Sequence, residues 1–119
     1  MKDEVKATGS KPPPRVDYDD IAHLYDSLPY RDKEVDPAFL EFLNTADGNP
    51  LSVLDMGCGT GNQLVANRPH MSQGRMVGMD LFRGMLRQAT PKADTIHWIQ
   101  ANSTLPPFAD GSFDFITNQ

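Results

Sequence analysis

Apolar side chains recur at helical spacing near the start of the chain. Ile21, Leu24 and Leu28 fall on one face of a helix that the pattern predicts over residues 18–28. This helix should end before Pro29, because the residue that precedes a proline disfavours helical geometry.

A second helix should follow shortly after the first. Asp36 is its expected N-cap and Pro37 its first residue, and the turn-forming residues 47–50 should end it. Residues 1–16 are polar and rich in proline, so they are predicted to form a flexible tail, which leaves residues 17–119 as the folded part.

From position 51 onward, short apolar runs alternate with turns and short helical segments. The predicted strands cover residues 51–55, 75–80, 96–100 and 113–118, and the predicted helices cover residues 61–67 and 83–89. Strands that alternate with helices predict an α/β fold with a parallel sheet and right-handed crossovers.

Composition limits the classes of function. The 119 residues carry a net charge of −5 without any basic stretch, which argues against binding to nucleic acid. No apolar run has the length of a membrane span, and no signal peptide follows Met1. The single cysteine, Cys58, excludes an internal disulfide and is typical of a reducing compartment. We therefore expect a cytoplasmic protein without a membrane partner.

The most informative segment is residues 53–61, V-L-D-M-G-C-G-T-G. A buried run ends at Asp55, and three glycines then alternate with larger residues: Gly57, Gly59 and Gly61. A glycine-spaced turn after a strand lets a ligand approach the backbone closely. A dinucleotide fingerprint would need a glycine at position 62, where Asn62 stands. The run D-x-G-x-G-x-G instead resembles motif I of the class I S-adenosylmethionine-dependent methyltransferases.

A second acidic residue ends the next predicted strand. Asp80 lies about 20 residues beyond the glycine turn, the distance at which an acid reaches a bound ribose. Its carboxylate can accept hydrogen bonds from both ribose hydroxyls. The structural alternatives are a helix N-cap or a solvated strand end.

Residues 100–114 supply a third signal. They read Q-A-N-S-T-L-P-P-F-A-D-G-S-F-D, which resembles the Q-A-D-A-x-x-L-P-F-x-D-x-S-F-D stretch of small-molecule methyltransferases in the same family. Asn102 replaces the family's usual acid, and Pro106 stands where leucine is common. In the family this acid receives a hydrogen bond from the adenine amino group, and the resemblance implies that asparagine can still accept it through its side-chain oxygen.

The resemblance implies a doubly wound, Rossmann-like sheet with N-terminal helices and a cofactor site along one edge. The motif I backbone would lie against the methionine part of S-adenosylmethionine, Asp55 near its ammonium group, and Asp80 at the ribose. Leu81 and Phe82 would cover the adenine, although Phe82 replaces a serine that often caps the next helix. The implied cofactor-binding residues are Asp55, Gly57, Cys58, Gly59, Gly61, Asp80, Leu81, Phe82, Asn102 and Ser103.

The implied activity is transfer of a methyl group from S-adenosylmethionine to a small-molecule acceptor. The sequence does not identify that acceptor, a catalytic base or an oligomeric state. His23, His70 and His97 are widely separated and have no cysteine partners, so no metal site is expected. Two alternatives stay open: a non-catalytic module that binds S-adenosylmethionine, and an NAD-dependent oxidoreductase.

The resemblance also implies that the sheet is incomplete. Class I methyltransferase sheets have seven strands, whereas the fourth predicted strand here extends nearly to Gln119. We expect the chain to correspond to the N-terminal, cofactor-binding half of such a domain and to be a fragment of a longer protein. An unusual natural truncation of the domain is the alternative.

Overall fold

A computed structural model describes residues 18–25, 33–46, 50–71 and 73–118. The predicted tail over residues 1–16 and the predicted end of the first helix lie outside these ranges. The α-helices are α1 (Tyr18–Tyr25), α2 (Pro37–Thr45), α3 (Asn62–Asn67) and α4 (Arg83–Ala89), with short 3-10 turns at Arg68–His70 and Thr90–Lys92. The strands are β1 (Leu51–Met56), β2 (Gly74–Asp80), β3 (Ile96–Gln100) and β4 (Phe115–Asn118).

Helix α2 begins as its sequence predicts. The Asp36 side chain accepts a hydrogen bond from Ala38 N over 3.0 Å, and Pro37 occupies the first turn, where no backbone donor is needed. The helix ends at Thr45, and the backbone N–H of Ala46 then binds Leu43 O. The predicted N-cap is therefore confirmed.

The four strands form one parallel sheet in the order β3-β2-β1-β4. Strand β1 is central, so Val53 pairs with Met76 on one side and with Phe115 on the other. The predicted α/β fold with a Rossmann-like parallel sheet is confirmed. The order reverses direction at β1, and ligands of such sheets bind beyond the carboxyl ends of the strands near this reversal.

Each face of the sheet packs against a different part of the chain. On one face, strand residues pack with residues of α2, α3 and α4; this cluster includes Phe39, Val53, Leu64, Met76, Leu86 and Ile96. On the other face, Leu54, Val77 and Met79 are covered by Phe108 and Phe113, which lie in the segment before β4. The rings of Phe108 and Phe113 meet edge to face at 4.8 Å.

The helices of the described residues are short. None of them combines the length and the hydropathy that crossing a lipid bilayer would require.

Candidate functional site

A cleft of about 450 Å³ opens beyond the carboxyl ends of β1, β2 and β3. Residues 57–60 line it after β1, residues 79–82 at the end of β2 and just beyond, and residues 101–103 after β3, and Lys33 contributes from the segment before α2. Further contributions come from Asn62, Gln63 and Met85. The volume lies within the range of about 300–1,000 Å³ that is usual for small-molecule sites.

The glycine turn after β1 forms one wall of the cleft. The amides of Gly57 and Cys58 both donate to Met79 O, over 2.7 and 3.0 Å, which ties the turn to the end of β2. Gly59 has a φ of 59°, in the left-handed region, and a Cβ at this position would meet no atom within 4 Å. Since Gly59 lines the cleft, that unfilled space is available to a ligand.

Asp80 joins the two sides of the cleft. Its Oδ2 accepts a hydrogen bond from Gly59 N over 2.8 Å, and its Oδ1 accepts one from Phe82 N over 2.9 Å. The side chain is 8% exposed, yet it still lines the cleft. Because each carboxylate oxygen can accept a second hydrogen bond, this geometry leaves capacity for a ligand hydroxyl.

Two of the ten predicted site residues lie behind the cleft wall. Asp55 is buried, and its Oδ1 accepts a hydrogen bond from Thr117 Oγ1 over 3.0 Å. Gly61 is the N-cap of α3, and a Cβ there would lie 2.5 Å from the Trp98 ring. Neither residue lines the cleft, whereas the other eight do. Gly61 therefore serves close packing at this position.

Asn102 differs from its expected arrangement. We expected its side-chain oxygen to accept a hydrogen bond from adenine, but Oδ1 already accepts bonds from Thr104 N and Thr104 Oγ1, over 2.9 and 2.8 Å. The amide NH₂ is the group that Asn102 can turn towards a ligand. Ser103 follows it at the exposed rim of the cleft.

The Cys58 thiol is a poor nucleophile. Burial raises its pKa far above the usual value, and the negative charges of Asp80 and Asp55 raise it further. The thiol therefore stays protonated at neutral pH, so Cys58 contributes shape to the turn and no thiolate chemistry.

Lys33 supplies a positive charge that sequence patterns did not reveal. Among the described residues that line the cleft, it alone is a cation. Its segment is held on α3, because Gln63 Nε2 donates to Glu34 O over 2.8 Å and Asp36 N donates to Asn67 Oδ1 over 2.9 Å. These contacts connect positions that are remote in the sequence, so no local sequence motif predicts them.

A second lysine supports the turn from behind. Lys92 Nζ donates to Thr60 O over 2.9 Å and to Asn62 Oδ1 over 2.7 Å. It thereby links the 3-10 turn after α4 to the junction between the glycine turn and α3. Within the described residues, no group of three acidic, histidine or cysteine side chains is arranged to hold a metal ion.

Comparison with known proteins identifies the family. Residues 53–119 match the family model described as "Methyltransferase domain". The chain belongs to the class I S-adenosylmethionine-dependent methyltransferases.

Curated methyltransferase relatives extend beyond the matched region. The chain is 34% identical over 109 residues to the biotin biosynthesis bifunctional protein BioHC of Teredinibacter turnerae, covering 82% of this chain and 19% of that protein. It is 28% identical over 111 residues to the malonyl-[acyl-carrier protein] O-methyltransferase of Methylovorus sp., covering 86% of this chain and 38% of that enzyme. The chain thus spans about a fifth to two fifths of the length of these relatives.

Solved structures share the fold of this methyltransferase chain. One is the methyltransferase in the complex with the Haloferax volcanii Trm112 activator, with a TM-score of 0.67 and 23% identity. The similarity covers 86% of this chain and 45% of that one. This chain therefore corresponds to less than half of the matched protein.

Proposed function

We propose that the protein binds S-adenosylmethionine in this cleft and transfers its methyl group to a small-molecule acceptor. The observation that carries the proposal is the hydrogen bond between Gly59 N and Asp80 Oδ2 at the base of the cleft. It joins the two features that bind such a cofactor, a glycine turn and a carboxylate at the ends of neighbouring parallel strands.

Asp80 is the proposed ribose ligand. Its carboxylate is held by Gly59 N and Phe82 N, so its position does not depend on the ligand. Two neighbouring hydroxyls need acceptors at a fixed separation, and the two oxygens of a carboxylate provide them. A rigid acceptor also loses little conformational entropy when a ligand binds.

The methionine end is assigned to the glycine turn and Lys33. Backbone groups of residues 57–61 can contact the amino acid part without interference from side chains. The carboxylate is the one anionic group of S-adenosylmethionine, and Lys33 is the cation that the described lining offers to it. Asp55, buried behind the turn, adds negative charge on the side where the cofactor's ammonium group would lie.

The adenine end is assigned to the walls after β2 and β3. Leu81 is 52% exposed and lies beside Phe82, so both can cover a flat ring and bury apolar area on binding. Asn102 can donate to a ring nitrogen through its amide NH₂, and the Ser103 backbone offers a further donor.

The chemistry required of the protein is modest. When bound, S-adenosylmethionine supplies a methyl group on a sulfonium that becomes a neutral thioether. The chain's residues need to orient the donor and exclude water, and positioning of this kind accounts for much of the rate in such transfers. This agrees with a cleft whose buried cysteine stays protonated.

The acceptor is proposed to be a small molecule, free or attached to a carrier. One relative is named for malonyl-[acyl-carrier protein], which is a small acyl group on a protein carrier. Nothing in the described cleft is basic enough to suggest a nucleic acid acceptor, since Lys33 is its one cation.

Calorimetry and a transfer assay test the proposal together. The full-length protein should bind S-adenosylmethionine and S-adenosylhomocysteine and should not bind NAD. It should then be incubated with radiolabelled methyl donor and acceptors of the kinds named for its relatives: a malonyl thioester, demethylmenaquinone and trans-aconitate. Binding of NAD in place of the methyl donor would contradict the proposal, and donor binding without transfer to any acceptor would favour a non-catalytic module.

A further inference from the structure

Helix α4 obtains its N-terminal cap from another helix. Phe82 stands at the N-cap position and its side chain makes no capping hydrogen bond. Instead, Asp19 Oδ1 of α1 accepts a hydrogen bond from Gly84 N in the first turn of α4. The backbone donors at the start of a helix lack partners within the helix, so an acceptor from α1 fills that role.

The contact is close as well as polar. A Cβ at Gly84 would lie 2.8 Å from Asp19 Oδ1 and 3.0 Å from Asp19 Cα. The first distance is shorter than real Cβ contacts, and the second is tighter than most of them, so a side chain at position 84 would displace Asp19. Glycine at position 84 therefore permits α1 to dock on α4 at this point.

Among the α1 side chains that the structure describes, one apolar side chain is buried. Ala22 is buried, but Ile21 is 38% exposed and Leu24 is 56% exposed. The polar contact between Asp19 and Gly84 therefore contributes to the attachment of α1 to α4.

The contact between Asp19 and Gly84 lies close in sequence to the wall of the cleft. Gly84 lies two residues after Phe82, which lines the cleft and donates its backbone N–H to Asp80. Asp80 in turn holds Gly59. A continuous series of hydrogen bonds and short backbone segments thus connects α1 with the glycine turn.

We propose that Asp19 is a positioning residue that couples the docking of α1 to ligand binding in the cleft. The inference rests on the proposed function. By fixing the first turn of α4, Asp19 holds the wall at Leu81 and Phe82 in the orientation that covers a bound adenine. Because coupling free energies are reciprocal, a ligand in the cleft must also stabilise α1 on α4.

The test compares Asp19→Ala, Asp19→Asn and wild type in the full-length protein, with S-adenosylhomocysteine as the ligand. Asp19→Ala should weaken binding about five-fold, the size expected for loss of one helix cap. Asp19→Asn retains an acceptor oxygen and should recover most of the affinity. Glu41→Ala, an exposed acid on α2, is the matched control and should bind like wild type.

Hydrogen exchange separates coupling from a general loss of stability. Adding S-adenosylhomocysteine should slow exchange of the Gly84 amide and of the α1 amides in wild type and should have little effect on α1 in Asp19→Ala. Gly84→Ala disturbs the same contact from the α4 side and should also weaken binding of S-adenosylhomocysteine. In the double variant with Asp19→Ala, it should cause little further loss of affinity.

Failure of the wild-type protein to bind S-adenosylhomocysteine would defeat the proposed function and the inference with it. Normal wild-type binding that Asp19→Ala and Gly84→Ala leave unchanged would defeat the inference alone. Additive losses in the double variant, with no ligand effect on α1 exchange, would also overturn the coupling.

Discussion

Gly59 donates its backbone N–H to Asp80 Oδ2 over 2.8 Å, which fixes the glycine turn to the acid at the end of the neighbouring strand. The same carboxylate accepts a hydrogen bond from the Phe82 amide, so one side chain connects the walls of the cleft that follow β1 and β2. Asp80 is thus an acceptor for the turn before α4, in addition to the ribose ligand that we propose it to be. Its substitution should affect both.

Replacement of Asp80 with alanine should weaken binding of S-adenosylmethionine by about 1–3 kcal/mol, the usual range for hydrogen bonds to a charged group. The loss follows from missing ribose contacts and from a less fixed Gly59. Isothermal titration calorimetry gives the value. Asp94→Ala, an exposed acid before β3, is the control, and an Asp80→Ala affinity equal to that of the control would remove Asp80 from the site.

Gly59→Val should abolish cofactor binding. The position has a φ of 59°, which a β-branched residue adopts only with strain, and its Cβ would enter space that we assign to the ligand. Gly111→Val is a matched control, because Gly111 has a φ of 76°, also has no atom within 4 Å of a built Cβ, and lies outside the cleft. Both variants should lose similar stability in thermal unfolding, and only Gly59→Val should lose binding. Equal binding by the two would make the turn purely structural.

Lys33→Met should weaken binding of S-adenosylhomocysteine by about 0.2–1 kcal/mol and leave binding of methylthioadenosine, which lacks the carboxylate, unchanged. The small size follows from the exposure of Lys33, where water screens the attraction. The difference in affinity for S-adenosylhomocysteine between wild type and Lys33→Met should shrink as salt concentration rises. Equal effects on both ligands would show that Lys33 does not contact the carboxylate.

Cys58 should make stability depend on alkaline pH. In the unfolded chain a thiol titrates near about pH 8.5, whereas burial keeps the folded pKa well above that value. The stabilising effect of the protonated folded thiol is therefore complete below about pH 8.5. As pH rises further, the free energy of unfolding should fall by up to about 1.4 kcal/mol per pH unit.

Urea denaturation between pH 7 and pH 10 measures this slope, and Cys58→Ala should lack it. Rapid alkylation of the native thiol by iodoacetamide at pH 8 would contradict its burial. The reagent should react only after unfolding.

The strands and helices around the motifs follow directly from local patterns. Residues 83–89 and 96–100 form the predicted helix and strand, because apolar spacing and glycine or proline breaks determine both. The fourth strand begins at Phe115, two residues later than predicted. Phe113 is drawn towards Phe108, while the Asp114 carboxylate accepts a hydrogen bond from Ser52 N.

The site was predictable only where a motif is local in the sequence. Gly59 follows β1 and Asp80 ends the neighbouring β2, so their spacing places them together. The segment of Lys33 is held on α3, and Asp19 contacts α4. These tertiary contacts do not follow from any spacing in the sequence. The hydrogen bonds that Asn102 Oδ1 accepts from Thr104 were not predictable either, because they depend on the backbone turn that follows Asn102.

The most direct test of the central claim is a titration followed by amide NMR. Adding S-adenosylhomocysteine to the full-length protein should shift the backbone amide signals of Gly59, Phe82 and Ser103, which lie on the three walls of the cleft. The amide of Gly111, outside the cleft, should not move. Saturable binding that leaves Gly59 and Phe82 unshifted would place the cofactor elsewhere and contradict the account.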